Sequence, residues 1–229
     1  MRPEARNPLA ASPNREHRRR LLIEAAREVL LRDGFAACTA RAIAAASPLT
    51  KSAIHYYFED VEEIVDAAML ELSEAFFAHV AESTSEIADP EERFWAALRT
   101  YLQPFQEHRP VTVLWFEYWS DRARRGRTEV VERIHAGIQR LFGELLEEAG
   151  VSHAQTAAHA VVSWVLGTVL QQTVRPVSFE ALRAELEPLF SRTGPVRASR
   201  VRSSSQTRGK PSRAVARESD GVLRSVPKT

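Results

Sequence analysis

The chain has 229 residues, 44% hydrophobic and 27% charged, an ordinary balance for one medium or two small soluble domains. The longest apolar stretch, 154–170, is interrupted by His159 and Ser163, which excludes a clean membrane span. The basic N-terminus lacks an apolar signal segment, and the single cysteine, Cys38, excludes an intrachain disulfide, so a cytoplasmic protein is expected. The net charge of +1 conceals a segregation: residues 1–58 carry +5, 59–190 carry −12 and 191–229 carry +8, as a polyanion-binding module on a non-binding body would.

Residues 1–14, with Pro3, Pro8 and Pro13, show no apolar period and read as a disordered basic arm. From Arg15, Leu21, Leu22, Ala25, Ala26, Val29 and Leu30 mark one face of a helix that stops at Asp33-Gly34. Cys38, just ahead of the next helix and near Phe35, reads as a buried small residue rather than a functional thiol. Thr39 caps a short helix over 40–46, which Ser47-Pro48 ends. Thr50 then caps a third helix to about Tyr57. Asp60 to Glu63 is a capping-box-like start for a fourth helix, to about Ser83.

The remaining elements are also helical. Asp89-Pro90 opens a helix that Pro104 should end or kink, and Pro110 opens the next, to about Arg124. Thr128 starts a helix closed by Gly150. Ser152 with Gln155 forms a capping box before an apolar helix to about Thr173, and Ser178 caps the last, to about Phe190. No convincing alternating strand is found, and the Ser-, Arg-, Pro- and Gly-rich residues 191–229 read as a disordered basic tail.

Residues 39–58 have the plan of a helix-turn-helix: two short helices, a tight turn, and Ile43, Leu49 and Ile54 as a small core that sets their angle. The candidate DNA-binding residues are Thr39, Arg41, Thr50, Lys51, Ser52, Ala53, His55, Tyr56 and Tyr57. Thr50 and Lys51 begin the recognition helix, where backbone N–H groups and a positive charge suit a phosphate. Ser52, Ala53 and His55 are placed for base edges, and Arg41 can reach a base from the preceding helix. Tyr57 can either donate to phosphate or pack.

The run from Arg20 through Gly34-Phe35, then Thr39 with Ile43-Ala44, then Leu49-Thr50-Lys51-Ser52, Ile54 and Tyr56-Tyr57-Phe58, resembles the N-terminal domain of tetracycline-repressor (TetR) family regulators. That resemblance implies an all-α dimer: an N-terminal three-helix DNA-binding domain with a helix-turn-helix, followed by a helical ligand-binding and dimerisation domain, usually paired through its last two helices. It also implies a phosphate contact for Tyr56. The chain departs from the family where Pro48 replaces the usual turn glycine, where Val61 stands in place of a frequent lysine, and where His55 replaces a frequent aromatic.

In the body, Phe105, Trp115, Tyr118, Trp119 and Trp164 are either core or the wall of an aromatic ligand pocket. The segment from Leu114 to Trp119 is similar to the regulatory domain of choline-responsive repressors of the family. That likeness implies an aromatic or cationic small-molecule effector, with Glu117 an off-face counter-charge. Val161, Val162, Val165, Leu166, Val169, Leu170, Leu182, Leu186 and Leu189 supply apolar surface for a homodimer bundle or for intrachain burial.

The expected organisation is an arm (1–14), a helix-turn-helix domain (15–59), a helical ligand-binding and dimerisation domain (60–190) and a tail (191–229). The expected function is a cytoplasmic regulator, a repressor released from a near-palindromic double-stranded operator by a small molecule. No cofactor, metal or membrane partner is expected. An all-α enzyme lacks support, because no phosphate loop, nucleophile elbow or metal-spaced cluster occurs. A helical interaction protein that has lost DNA binding is the other alternative, resting on Pro48 and Val61.

Overall fold

The computed structural model describes residues 13–190. Among them the chain forms α1 (Pro13–Asp33), α2 (Ala40–Ala46), α3 (Lys51–Tyr57), α4 (Val61–Thr84) and α5 (Pro90–Glu107). There follow α6 (Arg109–Arg125), α7 (Glu129–Glu148), α8 (Ala154–Gln172), α9 (Phe179–Leu186) and a short 3-10 turn over Glu187–Leu189. The described residues include no strand, so the fold is all-α. The expected tail, and the expected arm as far as residue 12, lie outside the described residues. α1 begins at Pro13, two residues before the expected Arg15, as a proline tolerated in the first turn permits.

Local signals account for most boundaries. Gly34 takes φ +86° and donates its N–H to Leu30, closing α1 in the left-handed manner that glycine favours. Thr39, Asp60, Asp89 and Ser178 each accept the N–H of the third residue onward, as N-caps do.

Three boundaries differ from expectation or narrow it. Of its two expected effects, Pro104 does not end α5, which runs on to Glu107 with Phe105 seated in the core and the His108 N–H returning to the Pro104 carbonyl. Ser152 does not cap α8. His153 occupies that position at φ 56°, without a side-chain cap, and Gln155 instead donates to Glu147 across the tight α7–α8 turn. α9 ends at Leu186 rather than near Phe190, because Pro188 cannot continue an α-helix.

Two apolar clusters hold the helices. One joins α1, α2 and α3 to the first half of α4 and reaches Leu114, Tyr118 and Val131. The other joins Val80 of α4 to α5, α7, α8 and α9. α4 therefore serves both cores, and Trp115 packs against both. The last helices are less available for dimerisation than their composition suggests. Val161, Val162, Val165, Val169, Leu182 and Leu186 are buried within the chain, while Leu170 (51% exposed) and Val174 (86%) remain outside.

Candidate DNA-binding surface and ligand chamber

The helix-turn-helix is built without a left-handed residue in its turn. Ser47 is extended at φ −108°, ψ 152°, as a residue before proline prefers, and its hydroxyl accepts the Leu49 N–H at 3.0 Å. Ile43 and Ile54 are fully buried and Leu49 is half-buried, so the expected small core is formed. Pro48 is thus accommodated rather than disruptive.

The candidate contacts divide by exposure. Thr39, Arg41, Thr50, Lys51, Ser52, His55 and Tyr56 are exposed. Tyr56 is 73% exposed. Neither Arg41 nor Lys51 forms an ion pair among the described residues. Thr39 spends its hydroxyl on the Ala42 N–H, whereas Thr50 caps nothing with its side chain and shares a 3.1 Å hydrogen bond with Ser52. Ala53 is half-buried against the core. Tyr57 is only 8% exposed and packs in the core, edge-on to Tyr56 at 4.8 Å. Its carbonyl accepts from Arg19, which also pairs with Glu63 at 3.0 Å and lies over the Phe58 ring at 4.0 Å. Arg19 thereby clasps α1, the end of α3 and the start of α4. Val61 is half-buried against the same core and offers no charge.

Cys38 is buried, its Sγ 3.9 Å from the Ala26 carbonyl, and burial pushes its thiol up to about 12, which leaves it inert.

Behind the recognition helix, α4 is locked to α6 by a buried polar network. Arg122, 1% exposed, donates Nε to Asp66 at 2.6 Å and Nη1 to Asp121 at 2.9 Å. Tyr118 donates its hydroxyl to the same Asp66 oxygen at 2.8 Å. Arg127 donates to Asp60 at 2.8 Å. Burial pushes the Asp60 carboxyl up, but the Arg127 hydrogen bond, the Glu63 N–H and the charges of Arg127 and Arg122 outweigh it and hold it below the ordinary range. Burial likewise opposes ionisation of Asp121, and Arg125, Arg122 and Arg124 outweigh it.

Between the two cores lies a cavity of about 60 Å³. α4 contributes Phe76 and Phe77, and α5 Tyr101 and Phe105. α6 contributes Trp115, Phe116, Tyr118 and Trp119. α7 and α8 complete the wall with residues that include Ile134, His135 and Leu166. Four of the five expected ligand-binding residues thus converge: Phe105, Trp115, Tyr118 and Trp119. Trp164 does not. It stands on the outer side of α8 in a different cleft and donates its indole N–H to Glu185 at 2.7 Å. Glu117 is exposed and faces the groove between α1 and α6, so it is not a counter-charge for this chamber. Phe76, Phe77, Tyr101, Phe116 and His135 also line the chamber, beyond the five expected ligand-binding residues.

A partly exposed recognition helix with free donors, joined by one long helix to an aromatic chamber, matches a known plan. Residues 22–68 match the family described as bacterial regulatory proteins of the tetR family. Over that segment the chain is similar to the N-terminal domain of TetR-family regulators. Over 174 residues it is 25% identical to the HTH-type transcriptional regulator BetI of Cronobacter sakazakii, covering 72% of this chain and 85% of that one. Among solved structures of the TetR plan it is similar to the multidrug binding protein EbrR complexed with imidazole. That match has a TM-score of 0.59 and 26% identity, and covers 75% of this chain and 94% of the other. A transcriptional regulator from Saccharomonospora viridis in complex with choline shares the fold at a TM-score of 0.56 and 20% identity, covering 78% of this chain and 97% of that one. BetI and the Saccharomonospora viridis protein are transcriptional regulators rather than enzymes. No described helix is long and apolar enough to cross a membrane, and no described group of His, Cys, Asp and Glu could hold a metal ion.

Proposed function

We propose that this chain is a TetR-family regulator, a homodimeric repressor that binds a near-palindromic operator and leaves it when a small molecule enters the aromatic chamber. One observation carries the reading. α4 begins beside the recognition helix, through Asp60 and the Arg19–Glu63 clasp, and ends as a wall of the chamber, through Phe76 and Phe77. The chamber holds only about 60 Å³, room for about four or five waters, against the about 300–1,000 Å³ of occupied ligand pockets. A ligand must therefore part the side chains around it, α4's among them. A displaced α4 changes the separation of the two recognition helices in a dimer, which is how differential binding releases DNA.

Lys51, Thr50, Ser52, His55 and Tyr56, with Arg41 and Thr39, form the DNA-facing surface in this reading, and residues 15–59 and 60–190 are its DNA-binding and effector-dimerisation portions. Leu170 and Val174, left exposed on and beyond α8, are the apolar remainder a second copy would cover. Footprinting on the DNA flanking its own coding sequence tests the proposal. Protection of paired half-sites about one helical turn apart, or a multiple of it, is expected. Uniform, sequence-independent protection would reject it.

A further inference from the structure

We infer that the chamber takes an uncharged ligand of mostly ring or hydrocarbon surface, neither a quaternary ammonium nor an acid; this rests on the reading of the chamber as the effector site. Its described wall contains no Asp, Glu, Lys or Arg. The nearby acids are committed or turned away. Asp66 accepts from both Tyr118 and Arg122, and Glu117 is exposed on the other side of α6. An ion entering such a space gives up its hydration and finds no counter-charge, the least favourable way to bury a charge.

The rings do not compensate for a cation. A cation site needs ring faces converging bare on one point. On the α4 and α5 side and at Trp119 the rings meet other rings, whereas Trp115 and Phe116 pair with none among the described residues: Phe76 is tilted onto Tyr101 at 5.1 Å and edge-on to Phe105 at 6.1 Å, Tyr101 lies 5.7 Å from Phe105, and Trp119 is edge-on to His135 at 6.2 Å. The interlocked edges and faces instead suit one more uncharged ring slipped among them. His135 is the one titratable nitrogen in the wall. Burial, and then His159 nearby, hold its imidazole below the ordinary range, so it stays neutral and offers one donor and one lone pair. That pairing suits a hydroxyl, carbonyl or amide on an otherwise apolar ligand.

A matched set of probes decides the matter: naphthylmethanol, naphthoate and naphthylmethyl-trimethylammonium, titrated calorimetrically into the full chain. The alcohol should bind at least about tenfold more tightly than either ion. Leu166→Glu places a carboxylate on the half-buried α8 wall and should reverse the order in favour of the ammonium, a change of preference that loss of folding cannot produce. Tighter binding of the ammonium or the naphthoate by the unaltered chain would overturn the neutral class while leaving the chamber as the effector site. Binding of the alcohol with a preference that Leu166→Glu does not shift would place the probe elsewhere and overturn the inference. Heats absent for all three probes, with tryptophan emission unchanged, would overturn the chamber reading itself and the inference with it.

Discussion

At the scale of single residues, exposure separates groups that can meet DNA from groups that hold the scaffold. Lys51 stands free at the start of the recognition helix. Lys51→Ala should weaken binding to all sequences and lower the slope of log affinity against log salt by about 0.9, because each phosphate contact releases counterions. His55→Ala should instead relax preference at one base position. Salt titrations on operator and random DNA read both effects. Tyr56 and Tyr57 are neighbours in sequence, yet one faces solvent and the other the core, a difference that no local pattern in this short helix declares. Arg122 is the extreme case. In sequence it is one arginine in a basic run closing a helix, whereas in the fold it is buried against two aspartates.

One of these aspartates, Asp121, sets an acid limb. Asp121 titrates below its ordinary range in the folded chain, so the fold binds fewer protons than the unfolded chain does. Its contribution is fully present above about pH 4 and is lost as pH falls through the folded value. Asp121→Asn should flatten the fall of melting temperature as pH drops below about 4. An unchanged slope would show that the carboxylate is not held by its arginines.

At the scale of elements, α4 and its partners carry the coupling. The Phe77 ring lies against the backbone of Gly137 on α7, and a Cβ there would meet its Cε2 at 2.7 Å. Gly137→Ala must therefore push the ring aside, into space the chamber has little of. The expected result is a folded protein, about 1–3 kcal/mol less stable, with probe binding weakened. Unaltered probe affinity would place the ligand elsewhere. Tyr118→Phe keeps the ring in the chamber wall and removes only the hydroxyl to Asp66. A loss of about 1.5–3 kcal/mol is expected, with DNA binding retained and the response to ligand reduced. Thermal melts and DNA titrations on one preparation separate the two effects.

Helix positions were legible because their causes are local: Asp60, Asp89 and Ser178 are caps, Gly34 is a stop, and the apolar period of α1 is regular. The helix-turn-helix was legible because its spaced residues sit in one short segment. The chamber was legible only in part. Trp115 and Trp119 announced an aromatic face, but which of Trp164, Glu117, Phe77 or His135 joins it depends on the rotation of packed helices. The persistence of α5 past Pro104 and the left-handed His153 likewise depend on what those segments pack against.

At the scale of the whole molecule, the two apolar cores meet at Trp115, beside the chamber and along α4. A boundary at residues 59 and 60 therefore cuts the sequence but not the packing, since the first half of α4 completes the core of the DNA-binding helices. That continuity is why an event in the chamber can reach the recognition helix. A two-fold dimer would convert it into a change in half-site fit. The most direct measurement is the affinity of the full chain for DNA flanking its own coding sequence, titrated with the uncharged naphthyl alcohol. The predicted result is tight binding to one near-palindromic site that weakens at least about tenfold as the chamber fills, a coupling of about 1.4 kcal/mol. Affinity equal to that for random DNA, or an operator complex indifferent to a probe that calorimetry shows to be bound, would contradict it.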